Sequence, residues 1–211
     1  MSRQNLASNQ DWTKIEPANA VAMAADGQNI YQLTTSGSIW KYRGSGQNWT
    51  KIEPANATAI AASAGNVYQI DGNSAIWQYD GNDQDWTKIE PIDAIAVAAD
   101  GPDVYQLAAN RSIWKYKGRG QDWTRIEPAN AIAIPASGGN VYQIDTSGAI
   151  WKYRGSGQNW TKIRSANAIS IIVFRNDVFH VDSAGSILRY NGTGQRWTQI
   201  EPANARAVVC G

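Results

Sequence analysis

The chain has 211 residues and a formal net charge of +1, and this length fits one or two domains, including a single large all-β domain. Lys and Arg are spread through the chain rather than gathered in a basic patch, which argues against nucleic acid binding. The single cysteine, Cys210, excludes an intramolecular disulfide framework, and no apolar run approaches the ~20 residues of a membrane-spanning helix.

The first element along the chain is the nine-residue stretch WTKIEPANA at residues 12–20. It returns unchanged or nearly so every 37 residues, at Trp49, Trp86, Trp123, Trp160 and Trp197. Periods of 20–50 residues are typical of solenoids, propellers and arrays. We therefore divide one domain, residues 1–211, into the repeats 12–48, 49–85, 86–122, 123–159 and 160–196 and a partial repeat, 197–211.

Within one unit, short β-prone runs alternate with turn residues. Residues 20–52 read AVAMAA, IYQL, SIWKY and WTKI, separated by DGQN, TTSG and RGSGQN, and EPAN follows the last run. The proline in EPAN removes a ladder donor, so this segment is expected to cross between sheets. Four antiparallel strands in about 37 residues predict an all-β fold, a β-propeller built of four-stranded blades.

The AVAMAA run is predicted to be the innermost strand of its blade. Its alternate positions are small, as at Ala20, Ala22 and Ala24, and strands that converge on a central axis are crowded on one side. The WTKI run is then the outermost strand, and its Trp is expected to seal the gap to the neighbouring blade.

The number of blades is left open between five and six. A ring of five complete blades would carry surplus strands at its seam. A ring of six would have one reduced blade, in which residues 205–210 and 12–15 from the two termini meet. We favour six because the terminal copies of the WTKIEPANA stretch are kept so faithfully.

Aromatic residues at two recurring positions are candidates for a binding site. They lie two residues apart in the predicted third strand and so share a face. Packing between blades is one explanation, and a flat ring against which a sugar can lie is the other. These residues are Trp40, Trp77, Trp114, Trp151, Tyr42, Tyr79, Tyr116 and Tyr153.

Polar residues at three recurring positions complete the candidate site. A Gln inside a sheet must find partners, either backbone in the next blade or a ligand. An Asn in the crossing segment suits a turn, whereas turn geometry does not require the neighbouring Glu. The candidates are Gln32, Gln69, Gln106, Gln143, Glu16, Glu53, Glu90, Glu127, Asn19, Asn56 and Asn130. The fifth unit carries His180 in the Gln position and Arg164 in the Glu position.

The tandem pattern W-T-x-I, A-x-A-I-A-A, V-Y-Q-[IL] and G-x-I-W-x-Y-x-G resembles β-propeller lectins of the tectonin and tachylectin type. The resemblance implies a ring of blades, several equivalent sugar sites and no enzymatic activity. No cofactor and no metal are expected. Many relatives of this type act in defence and bind cell-surface glycans. We place the expected glycan sites in the grooves between blades, where linked weak sites gain avidity. The sequence leaves open whether they lie on the face of the EPAN segments or on the opposite face, where Gln47, Gln84, Gln121, Gln158 and Gln195 recur.

Two functions follow from these observations. The main hypothesis is a multivalent carbohydrate-binding lectin, not inserted in a membrane, and the alternative is a non-catalytic propeller scaffold that binds proteins. One histidine and one cysteine exclude most catalytic triads and zinc sites. The polar N-terminal stretch has no apolar signal-peptide core, so the protein is expected in the cytoplasm or released without a signal peptide.

Overall fold

The computed structural model describes residues 14–15, 19–90, 92–202 and 205, and every regular element in this part of the chain is a β-strand. The strands form five antiparallel sheets in sequence order, as a propeller of about 37-residue blades requires. Among the described residues, none belongs to a helix with the length and apolarity needed to cross a membrane.

Each sheet is one blade, and its four strands follow one another from the inner to the outer edge. Blade 1 contains β1 (Ala20–Asp26), β2 (Asn29–Thr34), β3 (Ile39–Tyr42) and β4 (Trp49–Glu53). Blade 2 contains β5 (Ala57–Ser63), β6 (Asn66–Asp71), β7 (Ile76–Tyr79) and β8 (Trp86–Glu90). Blade 3 contains β9 (Ala94–Asp100), β10 (Asp103–Ala108), β11 (Ile113–Tyr116) and β12 (Trp123–Glu127).

Blade 4 contains β13 (Ala131–Ala133), β14 (Ala136–Ser137), β15 (Asn140–Asp145), β16 (Ile150–Tyr153) and β17 (Trp160–Arg164). Its inner strand is divided in two at Pro135, which has no N–H to donate to the ladder, although its carbonyl accepts the N–H of Tyr142 at 3.0 Å. Blade 5 contains β18 (Ala168–Phe174), β19 (Asp177–Asp182), β20 (Ile187–Tyr190) and β21 (Trp197–Glu201).

The hydrophobic core lies between blades. The cluster between blades 1 and 2 joins Leu33, Ile39 and Ile52 of blade 1 to Val67 of blade 2, and equivalent clusters fill the next three boundaries. A blade therefore has two apolar faces, and each boundary buries one face of both its neighbours.

Small and large residues of the inner strands also meet at the boundaries between blades. Ala22 packs into the cluster between blades 1 and 2, where Ile60 enters from the opposite side, and Ala59 and Val97 meet in the same way at the next boundary. A small residue facing a large one lets adjacent inner strands approach closely.

Each blade carries two β-bulges, one in its inner strand and one in its outer strand. In blade 1 the inner register skips from Ala20 to Ala22, which leaves Val21 as the extra residue. The outer register pairs Ile39 with Glu53 and then Trp40 with Lys51, which leaves Ile52 as the extra residue. A bulge re-aims one side chain and leaves its backbone groups outside the ladder.

The row of blades presents an apolar face at each of its two ends. Ile200 is 54% exposed on blade 5, whereas its equivalent Ile163 on blade 4 is 2% exposed. Met23 on blade 1 is 60% exposed, whereas its equivalent Ile60 packs against the preceding blade. At these ends Trp49 Nε1 donates to Ile15 O at 2.8 Å, and Ala205 N donates to Gly185 O at 2.9 Å.

These two bonds repeat those made at the internal boundaries, where Trp86 bonds Ile52 and Ala57 bonds Gly37. Residues 14–15 therefore stand where the outer strand of a preceding unit belongs, and Ala205 stands where the inner strand of a following unit begins. The rest of the predicted reduced blade, residues 12–13 and 206–210, lies outside the described residues.

Candidate functional site

Most of the predicted site residues meet in grooves between blades, along one rim of the propeller. We call this the EPAN rim; it carries the EPAN crossings and the turns that join the second and third strands of each blade. The groove between blades 2 and 3, the 2–3 groove, has a volume of about 440 Å³. Blade 2 contributes Glu90 to its lining, and the crossing that follows contributes Asp93. Blade 3 contributes Gln106, Trp114 and Gln121.

An equivalent groove of about 450 Å³ lies before blade 1 and is lined by Asn19, Gln32, Trp40 and Lys51. The strand order explains the meeting of these positions. The second and fourth strands both end at the EPAN rim, and the crossing carries the chain to the next blade. Glu16, the predicted acid for this groove, lies outside the described residues.

The Gln and Glu positions bind each other across blade boundaries. Gln69 Nε2 donates to Glu53 Oε2 at 2.8 Å, and Gln143 Nε2 donates to Glu127 Oε2 at 3.0 Å. No such bond joins Gln106 to Glu90, which are both described residues. The sequence left open whether these Gln side chains bind the next blade or a ligand, and for two of them the amide nitrogen binds the neighbouring blade.

The amide oxygens of three of these glutamines are not used in contacts between blades. Within the described part of the chain, Oε1 of Gln69, Gln106 and Gln143 has no hydrogen-bond partner although each is buried. A buried acceptor without a partner is costly, of the order of 1–3 kcal/mol. Each of these oxygens is therefore a preformed position for a donor group from water or a ligand.

The asparagines of the crossing segment have mainly a structural role. Asn19, Asn56 and Asn130 have φ values of 85°, 103° and 149°, and Asp93 has 83°. Asn and Asp adopt these left-handed conformations more readily than most other residues. Asn56 Oδ1 also accepts the N–H of Gly72 in the next blade at 3.2 Å.

The third-strand tryptophans stand half-buried in the grooves, and polar contacts fix them. The indole N–H groups of Trp77 and Trp151 donate to Asp71 at 2.9 Å and Asp145 at 2.8 Å. In blade 3 a hydroxyl replaces the carboxylate, and Trp114 Nε1 donates to Ser112 Oγ at 2.8 Å.

A basic side chain of the protein itself lies over each of these rings. Lys51, Lys88 and Lys162 place Nζ at 4.9, 4.8 and 4.6 Å from the ring centroids of Trp40, Trp77 and Trp151. Arg125 lies farther from Trp114, with its guanidinium carbon at 5.8 Å. One side of each ring thus contacts a basic side chain, which narrows the surface that a sugar can reach.

The third-strand tyrosines do not enter the grooves of the EPAN rim. Tyr42, Tyr79, Tyr116 and Tyr153 pack on the outer-strand tryptophans, with ring centroids 5.0–5.1 Å apart. Each hydroxyl donates to a carbonyl of the following loop, as from Tyr116 to Gly120 O at 3.1 Å. Tyr116 and Tyr153 instead line a groove of about 520 Å³ at the opposite rim. The predicted residues therefore fall on two rims, joined by one strand.

Blade 5 changes the groove before it, between blades 4 and 5. His180 is fully buried in the Gln position and meets Trp197 edge-on at 4.7 Å between centroids. Arg164 lies over the same indole, 6.0 Å from its centroid. Burial, together with the nearby Arg164 charge, lowers the pKa of His180 to about 4, against the opposing effects of the Val181 backbone and Asp182. The imidazole is therefore neutral at pH 7.

Two carboxyl groups of the grooves have shifted pKa values. Burial raises the pKa of Glu90, and the neighbouring Asp93 charge raises it further, against one hydrogen bond from the Ile92 N–H. Burial also acts to raise the pKa of Asp145, but hydrogen bonds from Ser147, Trp151 and Ala149 outweigh it and lower the pKa overall. Hydrogen bonds thus favour the charged form of Asp145. The single hydrogen bond to Glu90 does not offset the effect of burial on the pKa of Glu90.

Sequence reasoning missed several groove residues. Asp71 Oδ1 accepts the backbone N–H groups of Asn73 and Ala75 at 2.8 and 2.9 Å, and its other oxygen holds Trp77. The recurring Asp before each Gly/Ser/Asn turn was the available signal. Lys88 was missed because a Lys in an outer strand is usually solvated, and the sequence does not show that its ammonium group lies over the Trp77 ring.

The EPAN rim also carries a set of exposed apolar residues at the inner-strand bulges. Val21, Ile95, Ile132 and Ile169 are between 48% and 60% exposed, and the polar Thr58 takes this position in blade 2. Consecutive inner strands contact each other, so these positions follow one another from blade to blade along the inner edges of the sheets. We call them the bulge ring. The predicted alternation placed these residues in a strand but gave no reason to expect a bulge.

The fold and its grooves define the protein as a β-propeller, and comparison with solved structures agrees. No protein-family model matches the chain, and no curated protein sequence does. YCF48 bound to D1 peptide is similar with a TM-score of 0.64 at 16% identity, covering 84% of this chain and 66% of that one. Prp20p from Saccharomyces cerevisiae, described with its binding to Gsp1p and histones, has a TM-score of 0.63 at 9% identity, covering 80% and 56%.

Human WBSCR16 has a TM-score of 0.69 at 8% identity, covering 90% of this chain and 70% of that one. The chain thus spans less than two thirds of the length of the YCF48 and Prp20p chains. These similarities establish the propeller fold. They do not confirm the resemblance to lectins of the tectonin type.

Proposed function

We propose that the protein is a non-catalytic propeller scaffold that binds a polypeptide partner on its EPAN rim. The observation that carries the proposal is the bulge ring. Four large apolar side chains lie about half exposed at the same rotated position in four blades. Single exposed apolar residues need no explanation, but exposed apolar residues repeated at one position on one rim favour an interaction surface.

The bulges themselves support a binding role for this surface. An inner strand without a bulge would turn the second side chain toward a neighbouring blade, where the other residues of the strand pack. The extra residue is instead left out of the ladder with its side chain exposed, and pairing resumes beyond it. Because burial in the core would be available without the bulge, its repetition in all five blades favours a use for the exposed side chain.

The solved neighbours support the same class of partner. YCF48 is recorded with a D1 peptide, and Prp20p is described with Gsp1p and histones. Sequence identities of 16% and 9% support similarity of fold alone. The proposal for this chain therefore depends on the exposed residues of its own EPAN rim.

The proposal is tested with a triple variant in which Ile95, Ile132 and Ile169 become Thr. Blade 2 already carries Thr58 at this position, so the variant is expected to fold with an unchanged melting temperature. Polypeptides retained by the immobilised wild-type protein are identified, produced in pure form and titrated against both proteins. We expect the variant to bind at least about tenfold more weakly, because three apolar contacts of the order of 0.5–1 kcal/mol each are lost.

Equal binding of every purified polypeptide by the wild-type protein and a correctly folded triple variant would remove the bulge ring as the docking surface. A matched control changes Phe174, which is 47% exposed but lies at the opposite end of its strand. Phe174→Ser is expected to leave partner binding unchanged.

A second candidate, multivalent glycan binding, is favoured by one observation. The buried amide oxygens of Gln69, Gln106 and Gln143 have no hydrogen-bond partner among the described residues, and a sugar hydroxyl is a donor of the kind they lack. The lysines over the rings weigh against it. A glycan array separates the two candidates, because a scaffold of the proposed kind binds no saccharide and its partner binding survives deglycosylation of the partner.

A further inference from the structure

Each of the three internal grooves described above holds two carboxylates, but side-chain donors hold Glu53 and Asp71 in one and Glu127 and Asp145 in another. The 2–3 groove differs because, among the described residues, neither Glu90 nor Asp93 has such a donor. Asp93 replaces the asparagine found at Asn56 and Asn130, and Glu90 makes no bond to Gln106. From this arrangement we infer that the 2–3 groove binds an ammonium or guanidinium group, carried by a Lys or Arg side chain of the polypeptide partner. The identity of the carrier rests on the proposed function, whereas the chemistry of the groove does not.

The groove presents acceptors at its base and wall. Gln106 is 4% exposed and lines the groove, and its Oε1 has no partner among the described residues. Glu90 Oε1 accepts only a long bond, 3.5 Å, from the N–H of Ile92. An amide oxygen and two carboxylates lining one groove suit a ligand that donates several hydrogen bonds, and a positive charge on that ligand offsets the repulsion between Asp93 and Glu90.

The aromatic wall of the groove also suits a cation. In the grooves of blades 1, 2 and 4, a lysine ammonium lies 4.6–4.9 Å from the tryptophan centroid. In blade 3 the chain supplies Arg125 instead, whose guanidinium carbon is 5.8 Å from the Trp114 centroid. The same kind of ring therefore already receives a cation elsewhere in the molecule, and Trp114 receives one less closely.

The third carboxylate of this groove is already paired. Asp122, which also lines it, bonds Lys117 at 3.0 Å and lies 3.8 Å from Arg119. Those two cations therefore belong to the loop before β12. Within the described ion pairs, neither Glu90 nor Asp93 has a basic partner. The unmatched negative charge of the groove is thus carried by these two residues.

The repeat supplies matched variants for the test. Asp93→Asn gives the 2–3 groove the Glu and Asn found in the crossing between blades 1 and 2, and Asn is readily accommodated at a φ of 83°. Asn56→Asp makes the reverse change beside Glu53. The probes are N-acetyl-arginine amide, N-acetyl-lysine amide and the uncharged N-acetyl-citrulline amide, titrated while the indole N–H signals are followed by nuclear magnetic resonance.

We expect the two cationic probes to shift the Trp114 signal and the citrulline probe not to shift it. Asp93→Asn should raise the dissociation constant by about fivefold, as loss of one partly exposed ion pair implies. Asn56→Asp should produce a new shift at Trp77. The remaining indole signals report whether each variant is correctly folded.

Three outcomes would overturn the inference. Equal affinity of the cationic probes for wild-type protein and Asp93→Asn would exclude the carboxylate pair, and a larger shift with methyl glucoside than with either cation would assign the groove to sugars. Spermidine binding at least tenfold more tightly than the arginine probe would assign it to a free polyamine. The triple Thr variant retains Asp93, and the probes are small molecules. The cation test can therefore be interpreted even if the proposed polypeptide binding is not found.

Discussion

The indole N–H of Trp86 donates a hydrogen bond to the carbonyl oxygen of Ile52, 2.9 Å away across the boundary between blades 1 and 2. Ile52 is the extra residue of an outer-strand bulge, so its carbonyl lies outside the sheet ladder. The bulge thus provides the acceptor, and the next blade provides the donor. The same bond recurs at 2.7–2.8 Å for Trp123, Trp160 and Trp197, which explains why this Trp never varies along the chain.

Replacing Trp86 by Phe is expected to lower the free energy of unfolding by about 1–3 kcal/mol, because the buried Ile52 carbonyl loses its donor while most of the ring packing remains. Urea denaturation measures the change. The same substitution at Trp123 should give a similar loss, since its partner Ile89 O is 2.8 Å away. A loss below about 0.5 kcal/mol at both positions would mean that water replaces the indole without cost.

Trp77→Ala should destabilise the protein by about 2–3 kcal/mol, because it removes a half-buried ring, the donor to Asp71 Oδ2 and the ring under Lys88. Trp77→Leu is the matched variant, since blade 5 has Leu188 at this position, and should cost about half as much. Melting temperature and binding are measured on the same samples. Lost binding without lost stability would show instead that the ring serves the ligand alone.

Stability should fall between pH 7 and pH 4 because of His180. The pKa of its imidazole is about 4 in the folded protein against 6.5 ordinarily, so the unfolded chain takes up a proton in this range and the folded chain does not. The cost grows as the pH falls and reaches about 3 kcal/mol. His180→Gln restores the residue of the other blades and should abolish this part of the pH dependence. Parallel stability curves for both proteins would contradict the assignment.

Ile163→Ala and Ile200→Ala compare one position in two environments. Ile163 is 2% exposed at an internal boundary and Ile200 is 54% exposed on the end face of blade 5. The first change should cost about 2–4 kcal/mol and the second less than about 1 kcal/mol. Calorimetry at two protein concentrations measures both. Equal costs would show that another part of the chain, or a second copy, covers the end face in solution.

The sequence by itself determined the repeat, the four strands of each blade and their order. Turn residues at fixed spacing end each strand, and alternating β-prone runs define each strand, so both signals act within about 37 residues of chain. The meeting of Trp, Gln and Glu at one rim also follows from strand direction. This is why the candidate groove was predictable in outline, with the exception of the tyrosines.

Only the tertiary structure decided what these residues do. Gln69 and Glu53 are 16 positions apart, and Trp86 and Ile52 are 34 apart, so their contacts depend on how one blade is rotated against the next. The bulges, the lysines over the tryptophans and the exposure of Ile95, Ile132 and Ile169 depend on side-chain directions that no periodicity encodes. A repeat specifies which residues recur, whereas packing between blades specifies which of their atoms remain free to bind a partner.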